Sequence, residues 1–222
     1  MRTLVAHDVA FILLAVRWTL LLSAFAFIGG GVVGSAVALA RTSNVRFLRK
    51  ASSAFIVFFQ GTPLLMQLFL AFFGLAIFGF EVSASVAAAV ALTLNTAAFL
   101  GEIWRGSIES LPKGQWEAAR TLGLGYVTTM RRVIVPQAMH IALPPTIGFL
   151  VQLIKGTSLV SIIGFVELTR AGQIINNATF EPFKVFGIVA ITYFVLCWPL
   201  SYWGARMEKG LAVSMGRPVA GM

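Results

Sequence analysis

Residues 51–80 read ASSAFIVFFQGTPLLMQLFLAFFGLAIFGF, thirty positions without a charged side chain. A helix rising ~1.5 Å per residue needs only about 20 such positions to cross a ~30 Å hydrocarbon layer. The run is therefore long enough for one membrane span with residues left over. Gly61-Thr62-Pro63 inside it predicts a bend, because Pro63 lacks a backbone donor and disfavours the helical region for Thr62. Working outward, residues 18–40, 82–101 and 185–205 are also uncharged and of span length. The fourth span admits two frames. Residues 133–154 are uncharged but hold His140 and three prolines; residues 145–166 start at Pro144-Pro145 and hold Lys155 at their middle. Proline in a first helical turn costs little, and the second frame is preferred. Five spans result either way, which predicts an all-α, polytopic membrane helical bundle forming a single transmembrane domain over residues 1–222.

The composition agrees. Of 222 residues, 58% are hydrophobic and 11% charged, with a mean hydropathy of +0.88, whereas a soluble domain carries roughly a quarter charged residues. A soluble enzyme, a disulfide scaffold and a disordered binder are all excluded. The lone Cys197 can make no internal disulfide. With His7 and His140 as the only histidines and no clustered cysteines, no metal site or other cofactor is expected. The net charge of +9 does not point to nucleic acid, because basic loops are ordinary in membrane proteins.

Those basic loops set an orientation. Arg41, Arg46, Arg49 and Lys50 fall between the first two spans, Arg105, Lys113, Arg120, Arg131 and Arg132 between the third and fourth, and Arg206, Lys209 and Arg217 in the tail. The other side holds Arg2, Arg17, Arg170 and Lys184. The positive-inside rule places the larger set in the cytoplasm, so the N-terminus is expected outside and the C-terminus inside. Asp8 and Arg17 interrupt the early apolar stretch, and no cleavable signal is expected. Gly30-x-x-x-Gly34 allows close helix approach, either within the chain or between two copies.

The segment of about residues 102–136 is more than a connector. Residues 115–122 are good helix formers on average, and Gly123 and Gly125 supply a stop. Glu117 would fall in the first turn, where a negative side chain suits the dipole. Trp116, Ala119 and Leu122 would form a small apolar face. A short amphipathic helix on a cytoplasmic face can lie on lipid or dock in another protein's groove, and the small Ala118 and Ala119 favour docking.

Glu117-Ala118-Ala119-x-x-x-Gly123, followed after nine residues by Val133-Ile134-Val135-Pro136, resembles the EAA signature of bacterial ABC-importer permeases, which ends in Ile-x-Leu-Pro. Gly61-Thr62-Pro63-Leu64-Leu65, Gly101-Glu102-Ile103-Trp104-Arg105-Gly106, Leu143-Pro144-Pro145 and Lys155-Gly156-Thr157-Ser158-Leu159 are similar to words of the polar amino-acid uptake group. Gln60 stands where that group has arginine. The resemblance covers about residues 10–210.

It implies a type I importer permease in the bacterial cytoplasmic (inner) membrane, paired with a second permease subunit as a homo- or heterodimer. Each permease would bind a cytoplasmic ATP-binding subunit, and an extracytoplasmic solute-binding protein would deliver the substrate. The EAA loop would be the coupling helix, with Glu117, Ala118, Ala119, Gly123 and Pro136 as its ATPase-coupling residues. No Gly-x-x-x-x-Gly-Lys-Ser/Thr occurs, so ATP hydrolysis would lie in the partner and this chain would not be an enzyme.

Polar groups inside spans mark a substrate path. Lys155, beside Thr157 and Ser158, would sit at a helix interruption near mid-membrane and meet a substrate carboxylate, or else pair with a carboxylate such as Glu102 or reach an interface. Asn95 and Thr96 in the third span would line the path or join helices, and Thr62 at the first bend is a further path candidate. The family often has aspartate where Gly156 stands, so a cationic amino acid is not expected as the best substrate. The alternative is an ion-gradient-driven secondary transporter of small polar solutes, which acidic residues within spans would favour; the eight acids lie mostly at ends or in loops.

Overall fold

The computed structural model describes residues 2–77 and 79–214, without the side chains of 212–214; Arg217 of the C-terminal basic cluster lies outside the described residues. Among the described residues eight helices follow one another: α1 (Ala6–Thr42), α2 (Arg46–Gly61), α3 (Leu64–Ile77), α4 (Ala84–Glu109), α5 (Lys113–Thr121), α6 (Tyr126–Ile163), α7 (Leu168–Thr179) and α8 (Pro182–Ser214). No strand occurs among the described residues. Helices α1, α4, α6 and α8 are each long and apolar enough to cross a membrane, and α2 with α3 makes a fifth span if the pair counts as one.

That pair is bent by 104° at Gly61–Pro63, where the sequence predicts a break. The bend is tied down by two side chains, the Thr62 hydroxyl donating to the Phe58 carbonyl (2.8 Å) and Gln67. The Gln67 amide donates to the Phe59 carbonyl (2.8 Å), the Thr62 carbonyl (3.1 Å) and the Thr62 hydroxyl (2.9 Å).

Helix α1 buries a stripe of Ile12, Ala15, Thr19, Leu22, Ala26, Gly30, Gly34 and Ala38, at the spacing of one helix face. Toward its C-terminal half the stripe turns small, and there α1 meets the alanine-rich face of α4. A Cβ on Gly30 would lie 2.5 Å from Thr96, and one on Gly34 3.0 Å from the Ala97 carbonyl. The Gly30/Gly34 pair therefore packs within the chain. In lipid, where apolar surface alone does not drive helices together, this close backbone approach strengthens van der Waals packing between the two helices. Leu68, Leu92, Phe149, Leu153 and Val160 complete the core between α1, α3, α4 and α6.

The expected opening of the fourth-span helix at Pro144-Pro145 is corrected. Helix α6 begins at Tyr126, and Pro144 and Pro145 lie inside it rather than at its start. A membrane helix tolerates such prolines because neighbours can satisfy the freed carbonyls. The helix tightens to 3-10 geometry over Thr157–Ile163 and stops at Gly164, whose φ of +90° suits glycine. Helix α7 was not anticipated. It packs with the starts of α1 and α8 through Ile12, Leu168, Ile175, Val185 and Val189, at the end of the bundle opposite α5.

Gly30→Val should force α1 away from Thr96 and lower stability by about 1–3 kcal/mol. Ala36→Val, on the exposed face of the same helix, should change little. Thermal unfolding of both variants in one detergent measures the difference.

Candidate functional site

Helix α5 is a nine-residue element whose two ends are closed by backbone alone. At its start Gln115 N–H donates to the Pro112 carbonyl (3.0 Å). At its end Gly123 adopts φ +71°, with Gly123 N–H donating to Arg120 O (2.9 Å) and Leu124 N–H to Ala119 O (3.0 Å). This is the paired-bond glycine cap, open to a residue without Cβ at no steric cost. Gly123 thus stops the helix as the sequence predicts. The start is earlier than predicted, so Glu117 sits mid-helix and not in the first turn.

The two faces of α5 have different partners. Ala119 is 2% exposed, and Trp116 packs against a cluster of Ile108, Leu111, Met130, Ile134 and Ala138. Trp116 also stacks on Tyr126 at 6.3 Å, whose hydroxyl donates to Thr42 O at the end of α1 (3.3 Å). Gln115 accepts a hydrogen bond from Gln137 on α6 (3.3 Å). The apolar face of Trp116 and Ala119 is therefore turned into its own chain. Leu122 does not share that face and is 76% exposed. The face left open carries Lys113, Glu117, Ala118 and Arg120, flanked by Leu122 and by Val127 at 75% exposure.

Pro136 lies just after a π turn at Met130–Ile134, in which Val135 N–H reaches back to Met130 O. The widened turn shifts the hydrogen-bond register where Pro136 has no donor to give. Arg131, Arg132 and Pro136 are exposed there, so carbonyls freed by the shift can meet water.

The substrate-path candidates fall into two groups. Asn95 is 8% exposed and donates from Nδ2 to Gln67 Oε1 (3.1 Å), so Gln67 joins Asn95 to Thr62. Asn95 is helix-to-helix glue at the bend. Lys155, Thr157 and Ser158 lie where α6 tightens. The Thr157 hydroxyl donates to Ile154 O and the Ser158 hydroxyl to Lys155 O, both at 2.7 Å, so each caps the break. Lys155 is exposed and does not pair with Glu102, which is held by Arg105 (Nε to Oε2, 2.9 Å). The groups are not remote, since a Cβ on Gly156 would lie 3.4 Å from Leu64. The bend of α2–α3 and the break of α6 meet there.

Two polar residues that the sequence reading passed over prove central. Gln67 is a polar residue inside a long apolar run, a signal already in view. Glu167 is fully buried; its carboxylate accepts from Thr169 N–H, Arg170 N–H and Tyr193 O–H, each at 2.9 Å, capping α7. Glutamate is not a usual N-cap residue, so no local pattern marked it. Among the described residues no group of three His, Cys, Asp or Glu could hold a metal ion.

Residues 30–212 match the family described as "Binding-protein-dependent transport system inner membrane component". The chain is 40% identical over 197 residues to the L-cystine transport system permease protein TcyB of Bacillus subtilis, covering 88% of this chain and 84% of that protein. It is 34% identical over 199 residues to the glutamine transport system permease protein GlnP of Escherichia coli, covering 89% and 91%. A solved structure titled "Crystal structure of an amino acid ABC transporter with histidines" superposes with a TM-score of 0.84 at 35% identity, over 90% of this chain and 94% of that one.

Gln67→Leu should leave the Phe59 and Thr62 carbonyls and Asn95 unpaired, lowering stability by about 1–3 kcal/mol. Gln67→Glu should recover only the acceptor for Asn95, because the Phe59 and Thr62 carbonyls need a donor. Melting curves of the two variants against the unaltered chain read this directly.

Proposed function

Because the chain belongs to the family of binding-protein-dependent transport system inner membrane components, we propose that it is the membrane-spanning subunit of an ATP-driven ABC importer of polar amino acids. It is a multi-pass inner-membrane protein with up to five spans. The named relatives carry L-cystine and glutamine in their titles, which supports a polar amino acid as substrate. Family membership leaves no role for the ion-gradient alternative.

One observation carries the coupling reading: α5 is anchored on one face to α6 and open on the other. The docking face is Glu117 and Ala118, with Leu122 and Val127 beside them. Glu117 meets a basic ATPase residue, and Ala118 lets the helix seat closely. Ala119, Gly123 and Pro136 act from behind: Ala119 fixes the helix to its own chain, Gly123 ends it, and Pro136 sets the π turn at the root of α6. The ATPase subunits, the solute-binding protein and the second permease are partners in this reading, and hydrolysis takes place in the ATPase. Arg41, Arg49 and Lys113 gather around one cleft beside α5, which supports a cytoplasmic face at this end, with the N-terminus outside and the C-terminus inside.

The substrate passes near the junction of the two breaks. Lys155 meets its carboxylate, while Thr157, Ser158, Asn95 and Thr62 hold the breaks open as its walls. With Gly156 in place of an acidic residue, a cationic amino acid is a poor ligand.

Glu117→Arg and Ala118→Trp should each cut co-purification of a co-expressed ATPase subunit at least tenfold (roughly 1.4 kcal/mol), with the level of the chain in membranes unchanged. Retention of the ATPase by both variants at the unaltered level would place the docking face elsewhere. In proteoliposomes with the assembled importer, glutamine should compete for uptake more strongly than arginine or lysine. The reverse order would refute the role given to Lys155 and Gly156.

A further inference from the structure

A groove of about 330 Å³ runs between α1, α4 and α6, walled by Ala38, Leu39, Ile108, Met139, Ala142 and Leu143. That volume is within the ~300–1,000 Å³ of pockets that hold small ligands. Its polar side chains are already paired. Trp104 Nε1 donates to Thr146 Oγ1 (3.0 Å) and Ser35 Oγ to Val32 O (2.7 Å). The groove therefore offers a ligand nothing but hydrocarbon. Leu39, Met139 and Leu143 on its rim are exposed, so it opens sideways on the outer surface of the helix bundle.

One turn further along α1 the surface changes character. A cleft of about 360 Å³, sharing Ile108 with the groove, is lined by Arg41, Arg49 and Lys113. Its single carboxylate, Glu109, is paired with Arg105, and so is the nearby Glu102. Arg41 Nε is buried without a hydrogen-bond partner, and Arg49 reaches only the Ser43 carbonyl at 3.5 Å. A cationic cleft with its local acids neutralised and a buried guanidinium donor unpaired is complementary to a phosphate oxygen. An apolar slot and a cationic cleft on successive turns of one membrane helix match the two ends of a phospholipid.

We propose that groove and cleft together bind one anionic phospholipid, with an acyl chain between α1, α4 and α6 and the phosphodiester on Arg41, Arg49 and Lys113. A zwitterionic lipid fits less well, since its ammonium would enter the same cationic cleft. The site adjoins α5, because Lys113 and Trp116 belong to both. An occupied cleft therefore braces the start of that helix.

The test uses the full chain in detergent, with lipid retention read by native mass spectrometry. The probes are dioleoyl phosphatidylglycerol, dioleoyl phosphatidylcholine and glycerol 1-phosphate. The unaltered chain should retain one phosphatidylglycerol in preference to phosphatidylcholine. Arg41→Gln and Arg49→Gln should each weaken that retention roughly fivefold, while Arg131→Gln, outside the cleft, should leave it unchanged. Ala142→Phe should lower retention of both lipids by filling the groove; if it fails to fold, Leu143→Ser on the exposed rim serves instead. Equal retention of the two lipids, or an equal loss in Arg131→Gln, would overturn the headgroup site. Binding of glycerol 1-phosphate as tight as that of the lipid would overturn the acyl groove.

Discussion

Inside a hydrocarbon layer a helix can be interrupted only where the freed backbone groups find other partners, and this chain is organised around meeting that demand. At the α2–α3 bend the Gln67 amide and the Thr62 hydroxyl take up the Phe59, Thr62 and Phe58 carbonyls. At the end of the α-helical part of α6 the hydroxyls of Thr157 and Ser158 take up the Ile154 and Lys155 carbonyls. At the start of α7 the Glu167 carboxylate accepts two backbone N–H groups, and Leu168 N–H is taken by Thr19 on α1 (3.1 Å). Thr62, Gln67, Thr157, Ser158 and Glu167 thus sit at the places where the backbone needs them. Loss of one partner would leave a backbone group unpaired with no water to replace it.

These breaks divide the molecule into a fixed frame and a jointed part. The frame is the seam of α1 on α4, where Gly30, Gly34 and Ala-rich surfaces bring the backbones close and leave little room for sliding. The jointed part is α6. It is broken by a π turn near α5 and by a 3-10 segment near the opposite end, and α5 is fastened to it through Met130, Ile134 and Ala138. In the proposed coupling role, force applied to the open face of α5 would pass into the root of α6, because the other face of α5 is packed there. A lever held on one face transmits displacement; a helix free on both would only rotate.

How much of this was legible in the sequence follows from which interactions are local. The uncharged runs, the Gly61–Pro63 bend and the Gly123 stop depend on neighbours in the chain, and each was readable. The start of α6 was misread because proline at a first turn is a sound local rule, while tolerance of Pro144 and Pro145 inside a helix depends on surrounding helices. The inward turn of Trp116 was missed for a similar reason: an amphipathic helix shows that one side is apolar, not whether its own chain or a partner covers it. Glu167 depends on Tyr193, far along the chain, and no spacing rule joins them. The EAA residues were found as a motif, but only the structure separates Glu117 and Ala118, which face out, from Ala119, which faces in.

The same accounting of partners governs charge near the α6 break. There the buried Glu167 carboxylate already accepts three hydrogen bonds, from Thr169 N–H, Arg170 N–H and Tyr193 O–H. Lys155, by contrast, has no ion pair among the described residues. A cationic group arriving at this junction would have to displace an existing donor from the buried Glu167, and breaking a buried charged arrangement in a low-dielectric setting is costly. An arriving carboxylate displaces nothing and gains a lysine. The chemistry of the junction is therefore set less by which charged residues are present than by which of them already have partners.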